Sequence, residues 1–343
     1  MIIVNKHGVV LSKSERLFEV EAVLNPAVIL HENKIYMFYR AVAKNNFSSI
    51  GLCLFKSPLE IEHRCEIPVI FPQNEYEQQG TEDPRIVKID NVFYLSYCAF
   101  DGLNARGAIA ISQDLELWQK QGIIVPQVAY GSFKQMAETN QKLNEKYYRY
   151  NEHENVKERD GKKVLVWDKN VVFFPRRINE KLVFLHRIKP DIQLVSIDNL
   201  SDLTEEFWQN YLMRFQDSIV LSPKYKHEIS YIGGGCPPIE THEGWLVIYH
   251  GVYDAASGFV YCACAALLDL ENPLKEIARL PYPLFKPEFD YELKGDVNNV
   301  CFPSGAIVQN DTLFIYYGAA DKAIACASVS LTDLLLKLMQ NQK

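Results

Sequence analysis

One phrase recurs five times along this 343-residue chain and constrains its fold more than any other feature: a proline, an apolar stretch, a polar turn and an aromatic-rich run. The copies read NPAVILHENKIYMFYRAV, EDPRIVKIDNVFYLSYCAF, FPRRINEKLVFLHRI, PPIETHEGWLVIYHGV and FPSGAIVQNDTLFIYYGAA. Each copy predicts a β-hairpin, because two strand-like runs flank a turn containing Asn, Asp or Gly. A spacing of roughly 60 residues between most copies indicates a repeat architecture.

Short alternating runs between the copies supply further strands. They read SIGLCLF, GAIAIS, IQLVSI, VYCACAALLDL and AIACASVSL. Three or four strands per unit, repeated five times, are typical of a β-propeller, and a closed ring leaves few exposed strand edges. Two stacked sandwiches, the alternative, would not require a fivefold phrase. We therefore predict an all-β fold in which residues 1–343 form a single five-bladed β-propeller.

Two segments break the repeat. Residues 127–163 combine an approximate helical period with a polar background, which predicts a partly helical insertion between blades two and three. This insertion is either a solvated excursion or a lid or oligomer contact. Leu331–Met339 predicts a short C-terminal helix that closes the ring.

Charge and composition narrow the range of partners. The net charge is −7, from 36 basic and 43 acidic residues without a dense basic block, which argues against nucleic-acid and anionic-membrane partners. No leader and no membrane-length apolar run is present, so we expect a cytoplasmic protein with reduced cysteines. Cys262 and Cys264 have no second pair at metal spacing, and the Gly233–Gly235 turn matches no nucleotide motif. We expect no metal and no cofactor.

Carboxylates occur at one repeated position that should face the axis. First strands lie nearest the axis of a propeller, so residues before the recurring proline crowd one mouth of the channel. Only the second copy has acids there, Glu82 and Asp83. Neighbouring strand residues point to opposite faces, so only one of the two can address a ligand directly. The structural alternative is that Asp83 caps a turn or pairs with Arg85.

Basic side chains also repeat. Arg40, Arg187 and His250 each follow the aromatic of their copy, and at one repeat phase they suggest an anion held near the axis. Tyr249, beside His250, is placed to meet a ligand. An aromatic, carboxylate-lined funnel suits a sugar, so we assign Glu82 and Arg187 to substrate binding.

At several motifs the chain resembles glycoside hydrolase family 130, the mannoside phosphorylases and related β-mannosidases. The matching segments are NPAVIL, GTEDPRIVKIDNVFYLSYCAFDGLNAR, GGGCPPIETHEGWLVIYHGV, AALLDLENP and FPSGAIVQNDTLFIYYGAAD. The resemblance implies a five-bladed propeller and an inverting attack of phosphate on a terminal β-mannoside, which releases α-mannose 1-phosphate and a shortened acceptor. Inorganic phosphate is then a co-substrate.

The same resemblance implies roles for individual residues. The essential acid is Asp83, which in similar family members protonates the glycosidic oxygen through a sugar hydroxyl. The implied phosphate-site residues are Arg106, Lys169, Tyr249 and His250. The implied mannose-site residues are Asn25, Arg40 and Asp321.

The chain also departs from the family pattern. Ser49 and Cys262 stand where the family often has Arg, and Arg176-Arg177 replaces a usual Glu-Lys. Lost guanidinium groups weaken bidentate phosphate binding.

Three functions compete. An inverting hydrolase needs a carboxylate base roughly 6.5–9.5 Å from its acid, and Glu240, Asp254 or Asp296 would supply it. A phosphorylase needs an acid and cations, because a second carboxylate would repel phosphate. The cations favour a β-mannoside phosphorylase over a β-mannosidase, and over a non-catalytic sugar-binding propeller. The sequence leaves open the linkage (β-1,2 or β-1,4), the acceptor sugar and whether the chain forms a homo-oligomer.

Overall fold

The computed structural model describes residues 2–152, 158–159, 161–256 and 258–342. The strands of these residues are, in chain order, β1 (Asn5–Leu11), β2 (Ala22–His31), β3 (Lys34–Ala43), β4 (Phe47–Ser57), β5 (Glu60–Arg64), β6 (Gly80–Ile89), β7 (Val92–Phe100), β8 (Ala105–Ser112), β9 (Gln119–Ile123), β10 (Glu158–Arg159), β11 (Lys162–Lys163), β12 (Lys169–Phe173), β13 (Leu182–Arg187), β14 (Ile192–Ile197), β15 (Ile219–Leu221), β16 (Tyr231–Gly234), β17 (Ile239–Thr241), β18 (Gly244–Ala255), β19 (Gly258–Leu268), β20 (Glu276–Arg279), β21 (Cys301–Gln309), β22 (Thr312–Ala319) and β23 (Ala323–Ser330). The helices are α1 (Tyr130–Ala137), α2 (Glu145–Asn151), α3 (Glu205–Met213), α4 (Asp290–Leu293) and α5 (Leu331–Met339).

Apart from the β10–β11 ribbon, the described strands form five antiparallel blades. Blade one is β2–β5, blade two β6–β9, blade three β12–β15 and blade four β16–β20. Blade five is β21–β23 together with β1, which pairs antiparallel with β23. First strands contact one another around most of the ring, since β2 contacts β6 and β21, and β12 contacts β6 and β16. Blade five meets blade four where β21 contacts β18 and β19. The chain is mostly β, and its five blades follow one another around a closed ring, which is the arrangement that the repeat predicts. Blades one and two are joined by one parallel bridge between Ser48 and Gly80.

Four of the blades each contain a buried hydrogen-bonded triad of a tyrosine, a glutamate and a basic residue. In blade one, the Tyr39 hydroxyl donates to Glu19 Oε2 (2.7 Å), and Glu19 pairs with Arg64 on the outer strand (2.7 Å). The equivalent triads are Tyr97–Glu77–Lys120, Tyr249–Glu228–Arg279 and Tyr317–Glu292–Lys6. All four glutamates are fully buried, and each has a cation because an unpaired buried charge is costly. The repeated tyrosine therefore holds its blade together and does not face the axis.

The two helices of the insertion pack against the rest of the protein through buried apolar side chains. Tyr130 and Phe133 of α1 and Tyr147 of α2 are buried in a cluster with Phe215. The Tyr147 hydroxyl donates to Asp191 (2.6 Å) in the loop between β13 and β14. Helices α1 and α2 lie within residues 127–163, as predicted, and they are not a solvated excursion, because their apolar faces pack into a cluster with residues of blade three and α3. Residues 153–157 and 160 of the insertion lie outside the described residues.

Other features are reported for the described residues alone. No helix among them is long and apolar enough to span a bilayer. The eight cysteines carry free thiols, and seven of them are buried. Leu331–Met339 forms α5, and its Leu334, Leu335 and Leu338 pack into the core between blades four and five.

We expect Glu77→Leu to lower the free energy of unfolding by about 3–5 kcal/mol, because it leaves Lys120 and the Tyr97 hydroxyl without their buried partner. Urea denaturation measures the loss. The control is Glu60→Gln, which breaks an exposed pair with Lys56 and should cost at most about 1 kcal/mol. Equal effects of the two substitutions would show that the triad does not stabilise the blade.

Candidate active site

A cavity of about 190 Å³ is lined by residues from all five blades, which places it on the axis of the ring. Its lining residues are Asn25, Arg40, Asp83, Lys169, Asn170, Arg187, Tyr261, Val297, Val300, Phe302 and Asp321. Six residues that the sequence predicted as site residues are among them: Asn25, Arg40, Asp83, Lys169, Arg187 and Asp321.

Three polar side chains reach this cavity from β-bulges in the first strands of blades one to three. Asn25 and Asp83 both have φ of 49°, and Asn170 has φ of 57°. At each of these residues the pairing of the first strand with the second shifts register. Asn and Asp are the non-glycine residues that best tolerate this left-handed conformation. Bulges re-aim side chains, and here they bring the three together at the cavity.

Asp83 lies in an electropositive part of the cavity. Its Oδ1 accepts a hydrogen bond from Asn25 Nδ2 (2.7 Å) and lies 3.6 Å from Arg40 Nη1. Burial raises the pKa of Asp83, but Arg40, Lys169 and the hydrogen bond from Asn25 outweigh it, so the net pKa is lowered. Asp83 is therefore ionised at neutral pH when the cavity is empty.

Arg85 supports the backbone that carries Asp83. Its Nη1 donates to the carbonyl oxygens of Asp83 (3.2 Å) and Pro84 (2.8 Å). Its Nε donates to the carbonyl of Gly235, so the side chain links blades two and four across the axis. The sequence alternative, an ion pair between the Asp83 carboxylate and Arg85, is replaced by these backbone contacts.

Asp321 is the second carboxyl of the cavity, and its protonation differs from that of Asp83. It also has a positive φ, 51°. Burial raises its pKa to about 6, helped by repulsion from Asp83 and Asp296 and opposed by Arg40. Between the usual pKa range of an aspartate and about pH 6, Asp321 therefore holds a proton while Asp83 is ionised. The two groups interact, so the titration belongs to both.

Two cations from blade three complete the polar wall. Lys169 and Arg187 are cross-strand partners on β12 and β13. Arg187 Nη1 donates to His250 Nε2 (3.3 Å). Burial, with the positive charges of Arg187 and Arg85, lowers the pKa of His250 well below its usual value. His250 is therefore neutral and accepts a hydrogen bond from Arg187, which corrects its predicted role as a cation.

Gly233 leaves room for the side chains of His250 and Arg187. A Cβ atom at Gly233 would lie 2.5 Å from the His250 ring and 2.9 Å from Arg187 Cδ, so only glycine fits beside them. Arg187 Nε and Asn170 Oδ1 are buried and have no hydrogen-bond partner among the described residues. Buried polar atoms normally have partners, which marks this wall as a place for a polar ligand.

Four predicted site residues do not line the cavity: His250, which contacts Arg187, and Tyr249, Arg106 and Glu82. Tyr249 belongs to the blade-four triad, where its hydroxyl donates to Glu228, so the structure does not bring it to the cavity. The Arg106 guanidinium pairs with Asp101 (2.7 Å) and also lies outside the lining. Glu82 forms an ion pair with Arg40 (2.6 Å), which orients the Arg40 side chain. None of these three side chains lines the cavity, and their predicted roles at a ligand stay predictions.

Sequence reasoning missed Asn170 and Tyr261. The third copy was aligned on Pro175, which follows the end of β12, whereas its bulge lies at Asn170 without a proline to mark it. The available signal was an Asn directly after Lys169, since Asn favours positive φ. Ser49 and Cys262, where the family often has Arg, are buried outside the cavity lining.

Chemically, the cavity combines an ionised carboxylate, a carboxyl with a raised pKa and three cationic side chains. Such a site can bind an anion at one wall and move a proton at the other. Among the described residues, no group of three His, Cys, Asp or Glu side chains could hold a metal ion.

Known proteins of one family resemble this chain. The sequence model of glycoside hydrolase family 130, described as beta-1,4-mannooligosaccharide phosphorylase, matches residues 4–341. A 1,2-beta-oligomannan phosphorylase of Thermoanaerobacter sp. (strain X514) is 31% identical over 337 residues, which cover 95% of this chain and 96% of the relative. A beta-1,2-mannobiose phosphorylase of the same organism is 34% identical and covers 92% of each chain.

Solved structures share the fold. The beta-1,2-mannobiose phosphorylase of Listeria innocua, in complex with beta-1,2-mannobiose, aligns with a TM-score of 0.74 and 22% identity over 98% of this chain and 99% of that chain. A second structure aligns equally well, with a TM-score of 0.74 over 96% and 94% of the chains. It was presented with the finding that this phosphorylase family contains hydrolases that target beta-1,2 mannosidic linkages in Candida mannan. Both likenesses agree with a five-bladed propeller.

We expect the raised pKa of Asp321 to make the empty protein less stable as pH rises from about 4 to 7, because ionisation is harder in the folded state. Asp321→Asn removes this loss, so the free energy of unfolding of the variant should rise relative to that of the wild type as pH increases. The rise is at most about 3 kcal/mol, since one pKa unit corresponds to about 1.36 kcal/mol.

Urea denaturation at several pH values, without phosphate or sugar, measures this difference. The control is Asp114→Asn, because the pKa of the exposed Asp114 is lowered, so its effect on stability should not follow the fall expected for Asp321. A flat difference for Asp321→Asn would show that Asp321 is ionised throughout.

Proposed function

The chain belongs to glycoside hydrolase family 130, the family of mannoside phosphorylases, and on that premise we propose that this enzyme performs inverting phosphorolysis of terminal β-mannosides. The products are α-mannose 1-phosphate and an acceptor shortened by one mannose. One observation carries the proposal: a single axial cavity holds the carboxylate Asp83 and the cation pair of Lys169 and Arg187.

The cation pair suits phosphate. A phosphate anion needs charge-assisted donors, and Arg187 presents a planar guanidinium whose Nε has no partner among the described residues. His250 accepts a hydrogen bond from the same guanidinium and so fixes its plane. Lys169 adds a second positive charge from the neighbouring strand. Together they hold an already anionic nucleophile, which requires no general base.

Phosphate binding also favours protonation of Asp83. In the empty cavity Lys169 helps to keep the pKa of Asp83 low. A phosphate beside Lys169 offsets that positive charge and adds a negative one, so the pKa of Asp83 rises and the carboxyl takes up a proton. The acid is then protonated when the nucleophile is in place, which disfavours reaction without phosphate.

The reaction follows from this arrangement. A phosphate oxygen forms the bond to the anomeric carbon while the glycosidic C–O bond breaks. The proton from Asp83 reaches the departing oxygen, and the family resemblance implies a sugar hydroxyl as the relay. Asn25 and Arg40, which contact the Asp83 carboxylate, also line the cavity and suit the mannose hydroxyls. Phe302 offers an apolar face against the ring.

Hydrolysis is the second candidate, because Asp321 is a further carboxyl in the cavity wall. The bases expected from sequence have other contacts: Glu240 pairs with Arg176 (2.9 Å), and Asp254 accepts from Ser230 (3.0 Å). Neither these two nor Asp296 lines the cavity. The cation pair beside the acid favours phosphate over water as the nucleophile.

The linkage decides which substrates to test first. The two relatives that match over nearly their full length are named for β-1,2 linkages, and the family model is described by a β-1,4 activity. We therefore propose incubation with β-1,2- and β-1,4-mannobiose, with and without phosphate, while mannose 1-phosphate and free mannose are measured. Phosphate-dependent release of mannose 1-phosphate supports the proposal, and phosphate-independent release of mannose contradicts it.

We expect Asp83→Asn to lower kcat by about 10²–10⁴-fold while substrate binding is kept, because it removes the proton donor and preserves shape. Steady-state kinetics measures the change. Asp90→Asn is the matched control, since Asp90 lies on the same hairpin, has the same φ of 49° and is exposed. A variant that retains more than about a tenth of the wild-type kcat would remove Asp83 from the acid role.

We expect Lys169→Ala to raise the KM for phosphate by at least about tenfold, because a charge-assisted contact is worth about 1.5–3 kcal/mol and about 1.4 kcal/mol is tenfold. The KM for mannoside should change much less. The control is Lys181→Ala, an exposed lysine of the same blade. A larger effect on the mannoside than on phosphate would place Lys169 at the sugar instead.

A further inference from the structure

Blade three departs from the triad that the other blades share. His186 occupies the position of the repeated tyrosine, because Arg187 faces Lys169 across β12 and β13 as Arg40 faces Leu24 across β2 and β3. Its Nδ1 lies 2.9 and 2.8 Å from the two carboxylate oxygens of Asp168. The acid of this blade is thus the residue immediately before Lys169.

The His186–Asp168 pair is anchored on two further sides. His186 Nε2 lies 2.7 Å from the hydroxyl of Tyr211 on α3, and that hydroxyl also bonds the Leu194 carbonyl (3.2 Å). The Asp168 amide donates to the Ala105 carbonyl of blade two (3.1 Å), and its carbonyl accepts from the Gly107 amide (2.8 Å). His186 and Asp168 are both fully buried.

The His186–Asp168 pair lies next to the two cavity cations, because each of its residues directly precedes one of them in the chain. Neighbouring residues along an extended chain point to opposite faces, so Asp168 and His186 face the blade interior where Lys169 and Arg187 face the cavity. The hydrogen bonds between Asp168, directly before β12, and His186 of β13 therefore lie one residue away from each cation. In the other four blades the acid lies in a short helix before the first strand and is not the chain neighbour of a cavity residue.

We propose that Asp168, His186 and Tyr211 are positioning residues that set the spacing of Lys169 and Arg187 for phosphate. None of the three lines the cavity, so they act through the two cations. The inference rests on the proposed phosphorolysis and extends it to side chains that touch neither substrate. Small displacements of binding groups have large kinetic effects, which is why a rigid support behind the cations matters.

The decisive variant is Tyr211→Phe, which removes only the hydroxyl bound to His186 Nε2. We expect it to raise the KM for phosphate, and the KM for mannose 1-phosphate in the reverse reaction, by about threefold to tenfold, because His186 loses the hydrogen bond that anchors its Nε2. The KM for the mannoside should stay within about twofold. His186→Phe, which also breaks the contact with Asp168, should raise the phosphate KM further.

The matched control is Tyr317→Phe, which deletes the equivalent buried hydroxyl in blade five, where the next residue is Gly318 and carries no charge. It should lower the melting temperature as Tyr211→Phe does and leave the phosphate KM within about twofold. If Tyr211→Phe changes the phosphate KM no more than Tyr317→Phe, the anchor is purely structural and the proposal fails. If His186→Phe does not fold, Tyr211→Phe still decides.

Phosphate-independent turnover of the wild type would instead overturn the proposed phosphorolysis, and this inference with it.

Discussion

Closure of the ring by β1 is the constraint on which the rest of the structure depends. β1 pairs with β23 of the last blade, so the two ends of the chain form one sheet. Lys6 of β1 also completes the buried triad of that blade with Glu292. Because closure holds the first strands around one axis, Asn25 and Asp321 from opposite ends of the chain line the same cavity.

Buried charge is arranged differently within the blades and at the axis. Within four blades each buried glutamate has a tyrosine and a cation as fixed partners, so its hydrogen bonding is complete. At the axis Lys169 and Arg187 face Asp83 and Asp321, and Arg187 Nε lacks a partner among the described residues. A ligand with negative charge would complete this second arrangement, and binding it would shift the protonation of Asp83.

Much of the fold and part of the site could be predicted from the sequence. The repeated phrase predicted the five hairpins, and the structure brings Asp83 and Arg40 into the lining of one cavity, where their roles stay predictions. The hydrogen bond from Tyr249 to Glu228 could not be predicted, because alternation along β18 does not tell which face meets the axis and which meets Glu228. Asn170 was missed because its bulge carries no proline.

The sequence by itself determined the repeated hairpins and the acid in the second one, because alternation, turn residues and the Glu-Asp-Pro motif are properties of short stretches of chain. Only the tertiary structure decided that His250 is neutral, that Asp321 holds its proton to about pH 6 and that the insertion packs against blade three. The physical reason is that burial, charge and packing depend on neighbours in space, and those neighbours come from distant blades only when the ring closes.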